Sequence, residues 1–196
     1  MLHILEVKKL QVGLAPAIDI AVRSGECLVV DGPSGSGKSR LLRAIADLDD
    51  VGGAKTLDQR RCESFAASDW RGKVGTLPAE PVWWGETVGD HFQSNLKLAE
   101  EIGIAEPLFN RPIKQLSSGE RQRMALLRAL SVNPHFLLLD EPTSQLDECN
   151  TLLVESLLVG LLDQKALGLI WVSHDASQRR RLAARSLSLS LAGTAE

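Results

Sequence analysis

The chain has 196 residues, 44% of them hydrophobic and 24% charged, which is the ordinary composition of a soluble globular protein with one full core. A net charge of −3 excludes the broad basic field that recruits nucleic acid, and no apolar run approaches the roughly 18–20 residues that cross a bilayer. The N-terminus has neither the basic segment nor the long apolar core of a signal peptide. Cys27, Cys62 and Cys149 are odd in number and widely spaced, which predicts free thiols and a cytosolic protein.

The first thirty residues predict β-structure. Ile18, Ile20 and Val22 alternate with Asp19 and Ala21 as in a half-buried strand, and residues 27–30 form the short apolar run of a fully buried strand. A helix is expected directly afterwards, because apolar residues recur at helical spacing between positions 41 and 48. Farther along, the expected elements are short strands over 54–77, a helix over 87–110 and an edge strand over 186–191.

The stretch between that buried strand and its helix fits the pattern GxxxxGK[ST] of a phosphate-binding loop. Glycines let its backbone N–H groups converge, and the positive end of the helix dipole favours a polyphosphate at the same point. Lys38 is expected to reach the β- and γ-phosphates, and the Ser39 hydroxyl to hold Mg²⁺. The predicted nucleotide-binding residues are Gly32, Pro33, Ser34, Gly35, Ser36, Gly37, Lys38, Ser39 and Arg40.

Two apolar stretches later in the chain end in polar residues. Residues 136–139 precede Asp140 and Glu141, and residues 169–172 lead to Ser173 and His174. In an open α/β sheet, ligands bind at the C-terminal ends of the strands. Asp140 is therefore expected beside the Mg²⁺, and Glu141 is expected to point at the water that attacks the γ-phosphate. His174 is either a structural residue or, as we favour, a sensor of the γ-phosphate at the same edge.

Three other stretches are less decisive. Ser117 and Ser118 can cap an amphipathic helix whose N-terminus could also grip a phosphate. Trp83 and Trp84, in a proline-bounded loop, are either a partly buried anchor or a docking patch. The arginines that follow His174 are expected to form a solvated face, namely Arg179, Arg180, Arg181 and Arg185.

Taken in order, these stretches resemble the ATP-binding subunit of an ABC transporter. GPSGSGKS resembles the Walker A motif, LSSGE the signature motif, FLLLDEP the Walker B motif, SQLD the D-loop and WVSHD the strand of the switch histidine. The resemblance covers essentially the whole chain. Its details are also similar to the small ATPases of bacterial metal-export systems.

This resemblance implies an α/β fold of the ABC-type P-loop NTPases, with a mixed central sheet flanked by helices and an antiparallel part at the N-terminus. Residues 1–78 and 131–196 would form the RecA-like and β core, and residues from about 79 to 130 a short helical subdomain. It also implies ATP hydrolysis with Mg²⁺ held by Ser39 and Asp140, and with Glu141 and His174 as catalytic residues. The expected activity powers transport through a separate membrane-spanning partner, at the cytoplasmic face of the inner membrane.

The family also implies a head-to-tail, ATP-dependent homodimer, and no nucleic acid is expected as a partner. Each ATP would lie between the Walker A loop of one copy and a second set of residues from the other. That across-dimer set is Ser117, Ser118, Gly119, Glu120 and Asp147.

Departures from the family pattern leave a second function open. Ala79 stands where the family has a glutamine that senses Mg²⁺ and the attacking water. No Phe, Trp or Tyr precedes Phe65, although the family usually stacks an N-terminal aromatic residue on adenine. Arg40 and Ser118 replace the usual Thr and Gly, and the segment from Lys38 to Ser117 is short.

The alternative function is a regulatory ATP-binding dimer with little turnover. Glu141 and His174 oppose this alternative, and we expect slow or gated hydrolysis. DNA-repair or chromosome ATPases would need long insertions, and tandem translation-factor ATPases a second cassette.

Overall fold

The structure is a computed structural model that describes residues 2–13, 16–92, 98–182 and 185–190. Within them the strands are β1 (Ile4–Leu10), β2 (Ile18–Arg23), β3 (Cys27–Asp31), β4 (Ala54–Leu57), β5 (Arg60–Arg61), β6 (Val74–Leu77), β7 (Phe136–Asp140), β8 (Gly168–Val172) and β9 (Arg185–Ser188). The α-helices are α1 (Lys38–Ile45), α2 (Ala67–Lys73), α3 (Ser118–Ser131), α4 (Glu148–Asp163) and α5 (Ala176–Arg181). Short 3-10 helices lie at Cys62–Ser64, Gly89–His91, Glu100–Ile102, Glu106–Asn110 and Ile113–Gln115.

Four of the early strands form an antiparallel sheet in the order β2-β1-β4-β5. In β2 the residues predicted to face inward, Ile18, Ile20 and Val22, are buried, and Asp19 between them is exposed. The alternation predicted for a half-buried strand is therefore confirmed, because one face of this sheet packs on the core and the other is solvated.

The remaining five strands form a parallel sheet in the order β6-β7-β8-β3-β9. The α/β prediction is confirmed, but these five strands are all parallel, and the antiparallel strands form their own sheet instead of mixing into it. Alternate residues of β8 face opposite cores: Leu169 and Trp171 pack with α3 and α4, while Ile170 and Val172 pack with α1 and the antiparallel sheet. Burial on both faces explains why these strands read as continuous apolar runs.

Two sequence predictions about local structure are wrong. The single helix expected over 87–110 is replaced, in the described residues, by separate 3-10 turns, and residues 93–97 lie outside them. Gly103 has a left-handed φ of +66° and Pro107 lacks an N–H, so neither continues a helix. The strands expected over 54–77 are interrupted by α2, which forms because fully buried Trp70 packs on α1 and donates its indole N–H to Ile45 O at 3.1 Å.

The predicted C-terminal edge strand is confirmed as β9, which pairs with β3 and with no other strand of the described residues; residue 191 lies outside them. The proline-bounded segment from Pro78 to Glu86 is a loop, as predicted. All three cysteines are free thiols; Cys27 and Cys62 are buried and Cys149 is exposed. In the described part of the chain, no helix has the length and apolar character that a membrane crossing requires.

Candidate functional site

The phosphate loop runs from the end of β3 into the first turn of α1. Its glycines take left-handed backbone conformations at Gly32 (φ +141°), Gly35 (φ +80°) and Gly37 (φ +94°), as the predicted reversal requires. At Gly32 there is a second constraint, because a Cβ there would lie 2.3 Å from Leu189 O, the carbonyl just after β9. The loop is therefore shaped by glycine conformation and by the close approach of a neighbouring backbone.

The side chains of Lys38 and Ser36 are the buried polar groups of the phosphate loop that a bound phosphate would contact. The buried Lys38 ammonium donates to the carbonyls of Gly32 and Pro33, both at 2.9 Å, so it folds back over the loop. The buried Ser36 hydroxyl has no hydrogen-bond partner among the described residues. A buried polar group without a partner is costly, and a phosphate oxygen entering the loop would satisfy it.

Glu141 leaves the end of β7 in a left-handed conformation, with φ of +48°, which is uncommon for a residue with a side chain. Its N–H donates to Val172 O on β8 at 3.2 Å, and its carbonyl accepts from Ser144 N at 3.1 Å. Strained conformations of this kind persist where surrounding contacts hold them and cluster at functional sites. Here the turn directs the Glu141 side chain away from the strand and toward His174.

His174 and Glu141 come together at the edge of the parallel sheet, as the sequence predicted. The His174 Nε2 atom lies 3.1 Å from Glu141 Oε1, and both side chains are partly exposed. Their strands are neighbours: Asp140 on β7 pairs with Val172 on β8, and β8 also pairs with β3. Thus Asp140, Glu141, His174 and the phosphate loop all lie at the C-terminal ends of neighbouring parallel strands. A cavity of about 240 Å³ lies beside Glu141 and His174.

The second predicted phosphate-gripping terminus is the start of α3. Ser117 Oγ accepts from Glu120 N at 3.2 Å, and Glu120 Oε2 accepts from Ser117 N at 2.8 Å, which is a complete capping box. The Ser117 N–H, more than any other group, lowers the pKa of the Glu120 carboxyl below its usual value. Ser118 at this terminus is exposed.

Gly119 packs against the turn that precedes α4. A Cβ on Gly119 would lie 3.2 Å from Gln145 O, a tight contact that the neighbouring turn could accommodate only by shifting slightly. Asp147 then caps α4 by accepting from Asn150 N at 2.8 Å, a hydrogen bond that lowers the pKa of the Asp147 carboxyl. The predicted across-dimer residues thus gather in one surface region, and no hydrogen bond or ion pair among the described residues joins them to the phosphate loop.

Of the four arginines after His174, three are exposed, as the sequence suggested, namely Arg180, Arg181 and Arg185; Arg179 is not. Arg179 pairs with Asp31, at the end of β3, and Arg181 donates to Glu155, a carboxylate only 4% exposed, at 2.6 and 2.8 Å. Long-range pairing of this kind leaves no local sequence pattern, although a charged Asp31 at the end of an apolar strand was an available signal.

Gln178, between Glu155 and the loop after Glu141, was also missed. Its side-chain Nε2 donates to Glu155 Oε1 at 2.9 Å and to Thr143 Oγ1 at 3.0 Å. Because Thr143 lies two residues after Glu141, α5 holds the carboxylate-bearing loop as well as the segment that carries His174. A glutamine in a polar helix has no distinguishing sequence pattern.

Trp83 and Trp84 occupy both environments that the sequence left open. Trp83 is partly buried against the core, whereas Trp84 is 73% exposed. The Arg128 guanidinium lies 4.5 Å from one ring centroid and 4.8 Å from the other, and burial lowers the Arg128 pKa. His91 Nε2 accepts from the N–H groups of Trp84 and Gly85, both at 2.9 Å, and so fixes the loop.

The donor set at the sheet edge fits a nucleotide with Mg²⁺ better than a metal held by protein alone. Ser39 and Asp140 offer a hydroxyl and a carboxylate, the oxygen ligands that Mg²⁺ prefers. No group of three or more His, Cys, Asp or Glu side chains in the described ranges could hold a metal ion. Mg²⁺ commonly completes its coordination with phosphate oxygens and waters, so a small protein contribution suffices.

Comparison with known proteins shows what this chain is similar to. Residues 16–144 match the family model described as ABC transporter. The chain is 37% identical over 183 residues to Protein STAR1 of Oryza sativa subsp. japonica, covering 85% of this chain but about half (52%) of STAR1. It is 30% identical over 175 residues to the probable iron export ATP-binding protein FetA of Escherichia coli (strain K12), covering 82% of this chain and 78% of FetA.

A solved dimer of the ATP-binding cassette MJ0796, in a post-hydrolysis state with ADP and Pi, has the same fold as this chain, with a TM-score of 0.82. The two sequences are 23% identical, and the match covers 96% of each chain.

Proposed function

Because this chain belongs to the ABC transporter family, as one of its ATP-binding and ATP-hydrolysing subunits, we propose that it hydrolyses Mg·ATP between two head-to-tail copies and so drives a separate membrane subunit. The observation that carries the proposal is the approach of His174 Nε2 to Glu141 Oε1 at 3.1 Å, beside the phosphate loop. A regulatory dimer without turnover would need neither group there.

Each residue at the edge has a distinct role in this proposal. Lys38 leaves the Gly32 and Pro33 carbonyls and binds the β- and γ-phosphates, while Ser39 and Asp140 hold Mg²⁺, which neutralises phosphate charge when bound. Glu141 accepts a hydrogen bond from the attacking water and orients it toward the γ-phosphate. His174, within reach of Glu141, donates to the γ-phosphate and reports its presence.

The dimer is proposed because no hydrogen bond or ion pair among the described residues joins the start of α3 to the phosphate loop of the same chain. Ser117, Ser118 and Gly119 are held in one surface region by the capping box of α3 and by the Gly119–Gln145 contact. In a head-to-tail pair, this region would cover the ATP bound by the other copy. The dimeric MJ0796 structure with ADP and Pi supports this arrangement as an analogy of fold.

The membrane subunit is proposed to contact the loop from Pro78 to Glu86. Trp84 and Val82 are large hydrophobic residues exposed on this loop, and the Arg128 guanidinium packs against both of its indole rings. An exposed apolar patch held rigidly in place is typical of a protein-interaction surface. This contact would place the protein at the cytoplasmic face of a membrane through its partner.

Replacing the proposed catalytic carboxylate tests the function. Glu141→Gln keeps the size of the side chain but removes the base, so steady-state phosphate release should fall by about 10²-fold or more. ATP binding should persist, and size-exclusion chromatography with light scattering should find an ATP-dependent dimer that the parent chain forms only transiently.

A matched control is Asp163→Asn, which neutralises an exposed carboxylate at the far end of α4. It should turn over ATP like the parent. Unchanged phosphate release by Glu141→Gln would remove Glu141 from the reaction, and a parent chain that binds ATP without releasing phosphate would favour the regulatory alternative.

A further inference from the structure

The ion pair between Arg179 and Asp31 lies directly beside the phosphate loop. Asp31 is the last residue of β3 and immediately precedes Gly32. The Arg179 guanidinium, on α5, contacts Asp31 Oδ2, and the two side chains are 29% and 19% exposed. The pair therefore joins the strand that carries the phosphate loop to the helix that begins two residues after His174.

The Asp31 carboxylate cannot easily move away from the loop. The Asp31 carbonyl accepts from Leu189 N at 2.8 Å, and the next residue, Gly32, approaches the Leu189 carbonyl too closely to tolerate a side chain. Asp31 Oδ1 is buried and has no hydrogen-bond partner among the described residues. A negative charge is thus fixed at the entrance of a loop shaped to hold polyphosphate.

This charge opposes nucleotide binding in two ways. It repels the incoming phosphates, and it attracts the nearby Lys38 ammonium, which already donates to the Gly32 carbonyl and must leave it to reach a phosphate. Partial burial strengthens both effects, because the solvent screens the charge less. Arg179 is the cation that contacts this carboxylate.

We propose that Arg179 is a positioning and charge-balancing residue of the nucleotide site: its guanidinium neutralises Asp31 so that ATP can occupy the loop, and it holds α5 against β3. The proposal rests on ATP binding at this loop, as argued above. Arg179 acts through Asp31 and does not touch the reacting atoms.

Calorimetric titration of the full chain with Mg·ATP, supported by steady-state ATPase assays, tests the proposal. Arg179→Met should raise the ATP dissociation constant by about tenfold or more, because it exposes the phosphates to an unbalanced carboxylate. Arg180→Met removes the same charge from the same helix but from an exposed side chain with no ion pair in the described residues, so it should bind ATP within about twofold of the parent.

Charge balance and simple tethering give opposite results for Asp31. If Arg179 only tethers α5, Asp31→Asn and the Asp31→Asn/Arg179→Met double variant should both bind ATP weakly. If Arg179 balances charge, Asp31→Asn should bind ATP a few-fold more tightly than the parent, and the double variant should return to within about threefold of it. Arg179→Lys, which keeps the charge, should recover most of the affinity lost in Arg179→Met.

Two results would overturn the proposal: equal ATP affinity in Arg179→Met and Arg180→Met, or a double variant as weak as Arg179→Met. Should Arg179→Met fail to fold, Asp31→Asn and Arg179→Lys decide the matter, because weaker binding by Asp31→Asn contradicts charge balance. Absence of ATP binding by the parent chain would refute the proposed function instead, so the two failures are distinguishable.

Discussion

At the scale of single residues, Ala79 is the clearest departure from the family pattern, which has a glutamine at this position. It lies in the loop after β6 and lines a cavity of about 300 Å³ with Glu80, Trp83, Ser118 and Gln122. Alanine has no side-chain donor or acceptor, so it neither ligates Mg²⁺ nor orients water. The cavity beside it has room for a longer side chain.

Ala79→Gln should therefore raise basal ATP turnover several-fold without tightening ATP binding, because a better-aligned water lowers the barrier and leaves ground-state contacts unchanged. Steady-state phosphate release and ATP affinity should be measured on the same preparations. Ala66→Gln, at an exposed alanine before α2, is the matched control and should change neither quantity. Equal or lower turnover in Ala79→Gln would mean that another group, such as Glu80, already orients the water.

At the scale of elements, α5 is fixed by contacts on both sides rather than by its own length. It has only six residues, yet Arg179 reaches β3, Gln178 reaches the loop after β7 and Arg181 reaches α4. Isolated helices this short are unstable, so tertiary contacts must maintain it. These contacts also determine where His174 lies, since α5 follows it directly.

Arg181→Met should destabilise the fold by about 2 kcal/mol, since it leaves the buried Glu155 carboxylate with Gln178 as its remaining hydrogen-bond donor. The value is below that for a fully buried pair because the Arg181 side chain is partly exposed. Urea unfolding should give the loss, and Arg180→Met should stay within about 0.5 kcal/mol of the parent. Adding Glu155→Leu to Arg181→Met should recover much of the stability; a double variant that is less stable still would contradict this explanation.

At the scale of the whole molecule, a histidine pair joins the two sheets. His3, just before β1, stacks on His135, just before β7, with ring centroids 3.7 Å apart. His3 Nδ1 also lies 2.7 Å from Asp58 Oδ2. Burial, followed by the charges of His3 and Lys73, lowers the pKa of His135 below its ordinary value.

Stability should consequently decrease as the pH falls below about 6.5, the ordinary pKa of histidine in the unfolded chain. The sign follows because the unfolded state binds the proton more readily than the folded state. The contribution of neutral His135 to the free energy of unfolding is fully present above the unfolded pKa, and it is lost as the pH falls toward the lower folded pKa. His135→Phe keeps a stacked ring without a charge, so it should lose less stability between pH 7.5 and pH 5.5. Equal losses in urea unfolding of the two proteins would show that another group titrates there.

The sequence alone was sufficient for the features that depend on local pattern. The glycine spacing of the phosphate loop, the apolar runs of β3, β7 and β8 and the capping serine of α3 each follow from short-range rules of conformation and burial, and all appear where predicted. Parallel strands share one edge for their C-terminal residues, which is why the meeting of Glu141 and His174 could also be predicted.

Features that depend on contacts between distant residues required the tertiary structure. In the described part of 87–110, the expected helix is replaced by short turns, because packing and left-handed Gly103 override periodicity. The helix α2 forms because Trp70 finds a partner in Ile45. Asp31 and Arg179 are far apart in the chain, so the charge at the end of β3 indicates that a partner is needed but not which residue supplies it. Ion pairs depend on distance in space and on burial, and neither quantity exists until the chain has folded.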